Sequence, residues 1–155
     1  MNPNPEDQSI TWDLTDLYPT PREPAWADDL NQGLERARQF QASYKNVDLT
    51  TLSPAAFLQA LKEYESIQEE GVKPFLYASL LFSEDSQNTD YKTLLQKAKE
   101  QWNEIENQLL FFRLALIGLP EQKLQELLSH PPLKAYKHAL RFLRRFRPFT
   151  RGEKE

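Results

Sequence analysis

The chain has 155 residues, of which 39% are hydrophobic and 27% charged, and this length and composition predict one folded domain with its own core. It contains 0 Cys, which excludes disulfides and any Cys-based zinc or iron–sulfur site. The net charge is -4, and no apolar run approaches the roughly 18 residues that predict a membrane-spanning helix.

The first residues carry no targeting signal that we can identify. Residues 1–10 have neither the basic start nor the apolar stretch of a secretory signal, and they are not rich in Arg as a transit peptide would be. Together with the absence of cysteine, this predicts a cytoplasmic protein that does not insert into a membrane.

Prolines mark the beginning of the chain as an extended segment. Between Pro5 and Pro19, residues 10–18 carry large apolar side chains without a consistent period. A free tail would leave these groups in water, so we predict that residues 1–23 form an arm with one short turn at 14–18. The side chains expected to dock this arm on the domain are Trp12, Leu14, Leu17 and Tyr18.

From residue 24 onward, apolar residues recur at the 3.6-residue period of a helix. Prolines, glycines and polar caps divide this pattern into predicted helices near 24–44, 53–71, 75–82, 91–116, a short one from 120, and one from 131 to 148. We therefore expect an all-α fold over residues 24–148. About six helices would form an antiparallel, bundle-like array around the long fourth helix.

Few side chains in this sequence could carry catalysis. His130 and His138 are eight residues apart, whereas a zinc-binding helix places two His four apart. There is no G-x-S-x-G motif and no Gly-rich phosphate loop. Arg113 lies in an apolar segment, where its charge must reach solvent or pair with an acid. The residues alone predict no catalytic group and no metal ligand in this chain.

The C-terminal end is basic, unlike the rest of the chain. Residues 134–155 carry eight basic and two acidic side chains, while the remaining residues have a net charge of -10. Basic and aromatic residues alternate here, as in surfaces that dock partners, nucleic acid or anionic membranes, but the acidic remainder disfavours phosphate. We predict an interdomain or partner surface, with no nucleic acid and no membrane, formed by Arg144, Arg145, Phe146, Arg147, Phe149 and Arg151.

The Trp-Asp-Leu at 12–14 and the Leu-Tyr-Pro at 17–19, followed by Pro-Ala-Trp at 24–26, resemble the opening of the oligoendopeptidase F family. These enzymes are zinc metallopeptidases related to thimet oligopeptidase. Further matching segments follow in the family's order at 77–80, 109–114, 133–136 and 144–148. The resemblance runs from Trp12 to Glu155 and identifies the chain as the N-terminal domain of such an enzyme.

The resemblance implies a chain without chemistry of its own. The family uses an H-E-x-x-H helix and a further Glu to hold zinc, and this sequence has no such motif. Zinc is therefore expected in a catalytic domain of the same polypeptide, which residues 149–155 would join. Phe149 stands where relatives tend to have His.

The implied role is one wall of the cleft that limits substrates to short peptides, and the chain is expected to be inactive alone. The alternative is a stand-alone helical protein-interaction module without enzymatic activity.

Overall fold

The structure, a computed structural model, describes residues 12–22 and 24–146. Two short 3₁₀ helices, Leu49–Thr51 and Pro131–Tyr136, accompany five α-helices, which are α1 (Pro24–Tyr44), α2 (Pro54–Glu84), α3 (Thr89–Gly118), α4 (Glu121–Ser129) and α5 (Lys137–Arg144). The described part contains no strand. The prediction of an all-α fold is confirmed, with five α-helices where about six were expected.

The three long helices pack against one another as a bundle, and the shorter elements cover one end of it. Trp26 near the start of α1 donates a hydrogen bond from Nε1 to the carbonyl oxygen of Pro74, late in α2, at 3.1 Å. In α3, Gln101 contacts Leu30 and the carbonyl of Gln108 contacts Gln41. Helices α1 and α3 therefore run parallel to each other and antiparallel to α2.

The core has two clusters. The arm cluster lies at the end where α1 and α3 begin, and its buried residues are Tyr18, Trp26, Leu30, Tyr77, Ala78, Leu81 and Ala98. The larger main cluster fills the rest of the bundle and extends under α4, the second 3₁₀ helix and α5 through Leu124, Leu127, Leu133 and Leu140.

Two glycines let α1 and α2 approach closely between these clusters. A Cβ on Gly33 would lie 3.3 Å from the Cα of Gly71 and 3.2 Å from Cδ1 of Ile105. A Cβ on Gly71 would lie 3.1 Å from the same Ile105 atom and 3.3 Å from Cζ3 of Trp102. Even a methyl group here would make contacts tighter than usual, so the close crossing favours glycine at both positions.

The second and third predicted helices are one helix of 31 residues, and the predicted end at Gly71 is wrong. Gly71 does not have a positive φ, and it is buried inside the helix. Pro74 also lies within α2, although proline lacks an amide hydrogen and costs roughly 3 kcal/mol in a helix interior. Burial of apolar side chains on both sides of Pro74 against α1 and α3 stabilises the continuous helix enough to offset that cost.

The last predicted helix is shorter than expected. The Pro131–Tyr136 segment is 3₁₀, and the α-helical geometry begins at Lys137 and ends at Arg144. The predicted end at Pro148 lies outside the described residues.

Candidate functional site

The arm reaches the bundle through Tyr18. A local turn, in which the amides of Leu17 and Tyr18 donate to the carbonyl of Leu14 at 3.0 and 3.2 Å, directs the ring inward. Tyr18 is only 2% exposed, and its hydroxyl donates to Oδ2 of Asp29 at 2.7 Å. The ring packs edge-on against Tyr77 with centroids 5.0 Å apart. Burial and the Asp29 carboxylate raise the pKa of Tyr18 well above its ordinary value.

Of the other three residues predicted to dock the arm, two contact the bundle and one is largely exposed. Leu14 and Leu17 are half-buried and pack on the arm cluster. Trp12 is 49% exposed, because the turn that begins at Leu14 carries the chain toward the bundle only after this residue. Among these four residues, Tyr18 makes the most extensive contact with the bundle.

Arg144, predicted to be part of a partner surface, faces inward. Its guanidinium donates to the carbonyl oxygen of Leu119 and, at 2.9 Å, to Oε2 of Glu121. Its side chain is 12% exposed. Arg144 therefore satisfies a free carbonyl at the end of α3 and joins α5 to the beginning of α4, which is a structural role.

Arg145 and Phe146 face outward. The Arg145 guanidinium lies 5.7 Å from the ring centroid of Phe142, and the rings of Phe142 and Phe146 are 6.0 Å apart. The sequence analysis did not include Phe142 in the predicted surface. Its spacing of four residues from Phe146 could have predicted that the two rings share a helix face. The other three predicted residues, Arg147, Phe149 and Arg151, lie outside the described residues.

A polar network crosses the main cluster between α2 and α3. The amide of Gln68 donates to the hydroxyl oxygen of Tyr64 at 3.1 Å and to Oε1 of Glu106 at 3.2 Å. Burial and then Glu106 raise the pKa of Tyr64, while Arg113 acts in the opposite direction. Arg113 forms no ion pair with another described residue. This network joins α2 to α3.

The described residues do not bring together the ligands of a metal site. Within 12–22 and 24–146, no three His, Asp or Glu side chains are grouped so that they could hold an ion. His130 and His138 are both exposed. The donor set that zinc prefers is therefore absent from this part of the molecule, and no reaction step can be derived through zinc here. None of the described helices combines the length and apolar character that a membrane crossing needs.

An open cleft separates the arm from the beginning of α3. Its volume is about 570 Å³, and it is lined by Thr20, Pro21, Arg22, Asn88, Asp90, Tyr91, Thr93 and Leu94. The side chain of Asn88 accepts hydrogen bonds from the amides of Asp90 and Tyr91. This cap uses two of the free amides of the helix end, so they are not available to an anion in the cleft.

Comparisons with known proteins agree with the resemblance found in the sequence. A family model described as Oligopeptidase F matches residues 116–155. Oligopeptidase PepF of Bacillus subtilis (strain 168) is 26% identical over 148 residues, a match that covers 94% of this chain and 21% of that protein. The crystal structure of a candidate peptidase from Chlamydophila abortus superimposes with a TM-score of 0.71 at 22% identity, over 94% of this chain and 24% of that one.

The helical fold is thus shared with part of a much larger protein, and the chain spans about a fifth of the length of the curated relative that it matches. The described residues form an all-α domain that is similar to part of these larger proteins. The resemblance predicted from the sequence is confirmed: these matches support similarity to an N-terminal domain of the oligoendopeptidase F family.

Proposed function

We propose that this chain is the N-terminal helical domain of an oligoendopeptidase F-like zinc metallopeptidase and forms one wall of a cleft that admits only short peptides. The observation that carries this proposal is the match to Oligopeptidase PepF, which covers 94% of this chain but only 21% of the relative. A domain that accounts for a fifth of such a protein and has no metal-binding motif contributes shape and contacts to the enzyme.

The architecture suits a wall. Helices α2 and α3 have 31 and 30 residues, so each is roughly 45 Å long at 1.5 Å per residue. A fully extended peptide of about 13 residues has a similar length. Three long helices with interlocked cores resist bending, which allows a wall to exclude folded proteins by shape.

The rest of the proposal follows from the family. Zinc would be bound by an H-E-x-x-H helix in a catalytic domain of the same polypeptide, and that domain is the expected partner. Residues 1–23 would be the docked arm, 24–148 the wall and 149–155 the junction. The substrates of the complete enzyme would be short peptides in the cytoplasm.

The test compares the 155-residue chain with the polypeptide encoded by its complete reading frame. Both are assayed with zinc on a quenched fluorogenic peptide and on a folded protein substrate. We expect no turnover by the chain alone, and chelator-sensitive cleavage of the peptide but not of the folded protein by the longer polypeptide. Chelator-sensitive turnover by the chain alone would contradict the proposal, as would cleavage of the folded protein by the longer polypeptide.

A stand-alone interaction module is the second candidate, because large apolar side chains are exposed on three of the described helices, including Leu76 of α2, which is 49% exposed. Leu110 and Leu114 of α3 are 47% and 46% exposed, and Phe142 of α5 is 50% exposed. A stop codon directly after Glu155, together with reversible self-association in analytical ultracentrifugation, would favour this function over the peptidase wall.

A further inference from the structure

The outward side of α5 and its C-terminal turn presents two aromatic rings to solvent. We define the α5 face as Arg141, Phe142, Arg145 and Phe146. Phe142 is 50% and Phe146 43% exposed, whereas Leu140 on the inward side is 3% exposed. The rings of Phe142 and Phe146 meet edge to face at 6.0 Å, so each already restricts the other's motion. Two large rings held in this way are typical anchors of a protein interface.

The segment that carries these rings has charges of a single sign. No Asp or Glu occurs from residue 130 to residue 146, and the side chains of Lys134, Lys137, Arg141 and Arg145 are exposed. None of these four cations forms an ion pair with another described residue, whereas Arg144 is paired with Glu121. An aromatic centre with a cationic rim is complementary to an apolar pocket surrounded by carboxylates.

We propose that the α5 face docks on an acidic surface of the catalytic portion of the same polypeptide. Phe142 and Phe146 enter an apolar pocket there, and Arg141 and Arg145 pair with carboxylates at its edge. This inference rests on the proposed function, because that function supplies the partner. It assigns contact residues and a partner chemistry that the family resemblance does not give.

Three arguments favour this occupant over others. Helix α5 is the last described helix, and under the proposed function the catalytic portion follows it in the same polypeptide, so a partner tethered in this way has a high effective concentration. A symmetric dimer through the α5 face would gather Arg141 and Arg145 of both copies in one interface, which their like charges oppose. Nucleic acid is disfavoured by the net charge of -10 on residues 1–133.

The test is hydroxyl-radical footprinting of the 155-residue chain and of the polypeptide from the complete reading frame. In the longer polypeptide we expect the oxidation rates of Phe142 and Phe146 to fall about fivefold or more, because an interface core excludes water. Leu110 and Leu114 are as exposed as these rings and serve as internal controls whose rates should not change. A double variant, R141E/R145E, should restore oxidation of both rings in the longer polypeptide.

The matched control is K92E/K99E, which reverses two exposed cations on α3 and should leave the footprint unchanged. Circular dichroism verifies that each variant is folded. Unprotected rings in a longer polypeptide that still cleaves peptides would overturn this inference and leave the proposed function intact. If protection of the two rings in the 155-residue chain grew with protein concentration, the occupant of the α5 face would be a second copy of the chain. If added DNA protected the rings, the occupant would be nucleic acid. Either result would also overturn this inference. A reading frame without a catalytic region would overturn both proposals.

Discussion

The two ends of the bundle are covered by short segments that use aromatic residues in opposite ways. At one end, the arm inserts Tyr18 between α1 and α2, where it is 2% exposed and hydrogen-bonded to Asp29. At the other end, α5 buries Leu140 and leaves Phe142 and Phe146 in solvent. At the arm end, the ring of Tyr18 is therefore buried by other described residues, whereas the described α5 end leaves two large rings exposed, as the proposed docking surface requires.

The difference shows that an aromatic residue near a chain end is not by itself evidence of docking on the domain. The ring of Tyr18 is fixed by a turn, a carboxylate and an edge-on contact with Tyr77. The ring of Phe142 has Arg145 and Phe146 as neighbours, and both belong to its own segment. Substitutions at equivalent positions of the two ends should therefore differ greatly in their effect on stability.

The largest contrast should come from removing one ring at each end. Tyr18→Ala should lower the free energy of unfolding by about 3–5 kcal/mol, because removal of a buried ring leaves a cavity. Phe142→Ala should change the free energy of unfolding by less than about 0.5 kcal/mol, because this ring is exposed. Urea denaturation of the 155-residue chain measures both values. Tyr18→Phe, which keeps the ring and loses the hydrogen bond, should cost only about 1 kcal/mol. Equal losses for the two alanine variants would show that the ends do not differ as described.

A second prediction concerns the crossing that separates the two core clusters. Gly71→Val should destabilise the fold by about 1–3 kcal/mol, because its side chain would collide with Ile105 and Trp102. Gly118 is the control, because an added Cβ there meets nothing within 4 Å. Gly118→Ala should be neutral or stabilise by up to about 1 kcal/mol. Thermal unfolding of the two variants distinguishes them, and a stable Gly71→Val variant would mean that the helices can separate at this point without loss.

A third prediction compares two adjacent arginines at the α5 end, of which Arg144 faces inward and Arg145 is exposed. Arg144→Met keeps the apolar stem and removes the hydrogen bonds to Leu119 and Glu121, so it should cost about 1–2 kcal/mol. Arg145→Met removes an exposed group and should cost less than about 0.5 kcal/mol. Urea midpoints measured side by side give the comparison. If Arg145→Met were the more damaging change, the inward assignment of Arg144 would be wrong.

The smallest effect should be an alkaline loss of stability at the α5 end. Burial and the hydrogen bond to Glu65 raise the pKa of Tyr136 to about 12. A raised pKa means that the folded state favours the neutral phenol, so this stabilisation is present below the unfolded pKa of about 10 and is lost as the pH rises through about 12. The urea midpoint should therefore fall more between about pH 9 and about pH 11 for the natural chain than for Tyr136→Phe. Equal falls would exclude this contribution.

The sequence was a good guide wherever a local pattern agreed with the packing. The stripe from Tyr91 to Leu116 predicted α3, and the Ser53 cap marked the start of α2, where its hydroxyl accepts a hydrogen bond from the amide of Ala56. The sequence wrongly predicted a helix end at Gly71 and a new helix near Pro74. A glycine at a helix crossing and a glycine at a helix end cannot be distinguished from the sequence alone. The candidate surface was only partly predictable, since Arg144 and Arg145 are neighbours in sequence but lie on different sides of the chain.

By itself, the sequence determined the helical class, the long helix α3, the absence of an H-E-x-x-H motif and the resemblance to the oligoendopeptidase F family, because composition, periodicity and motifs are properties of the chain in one dimension. Only the tertiary structure decided that α2 continues through Pro74, that Tyr18 is buried, and that Arg144 is structural while Phe142 is exposed. These outcomes depend on which groups from distant segments meet, and burial and hydrogen bonding between them set the free energy that selects one arrangement.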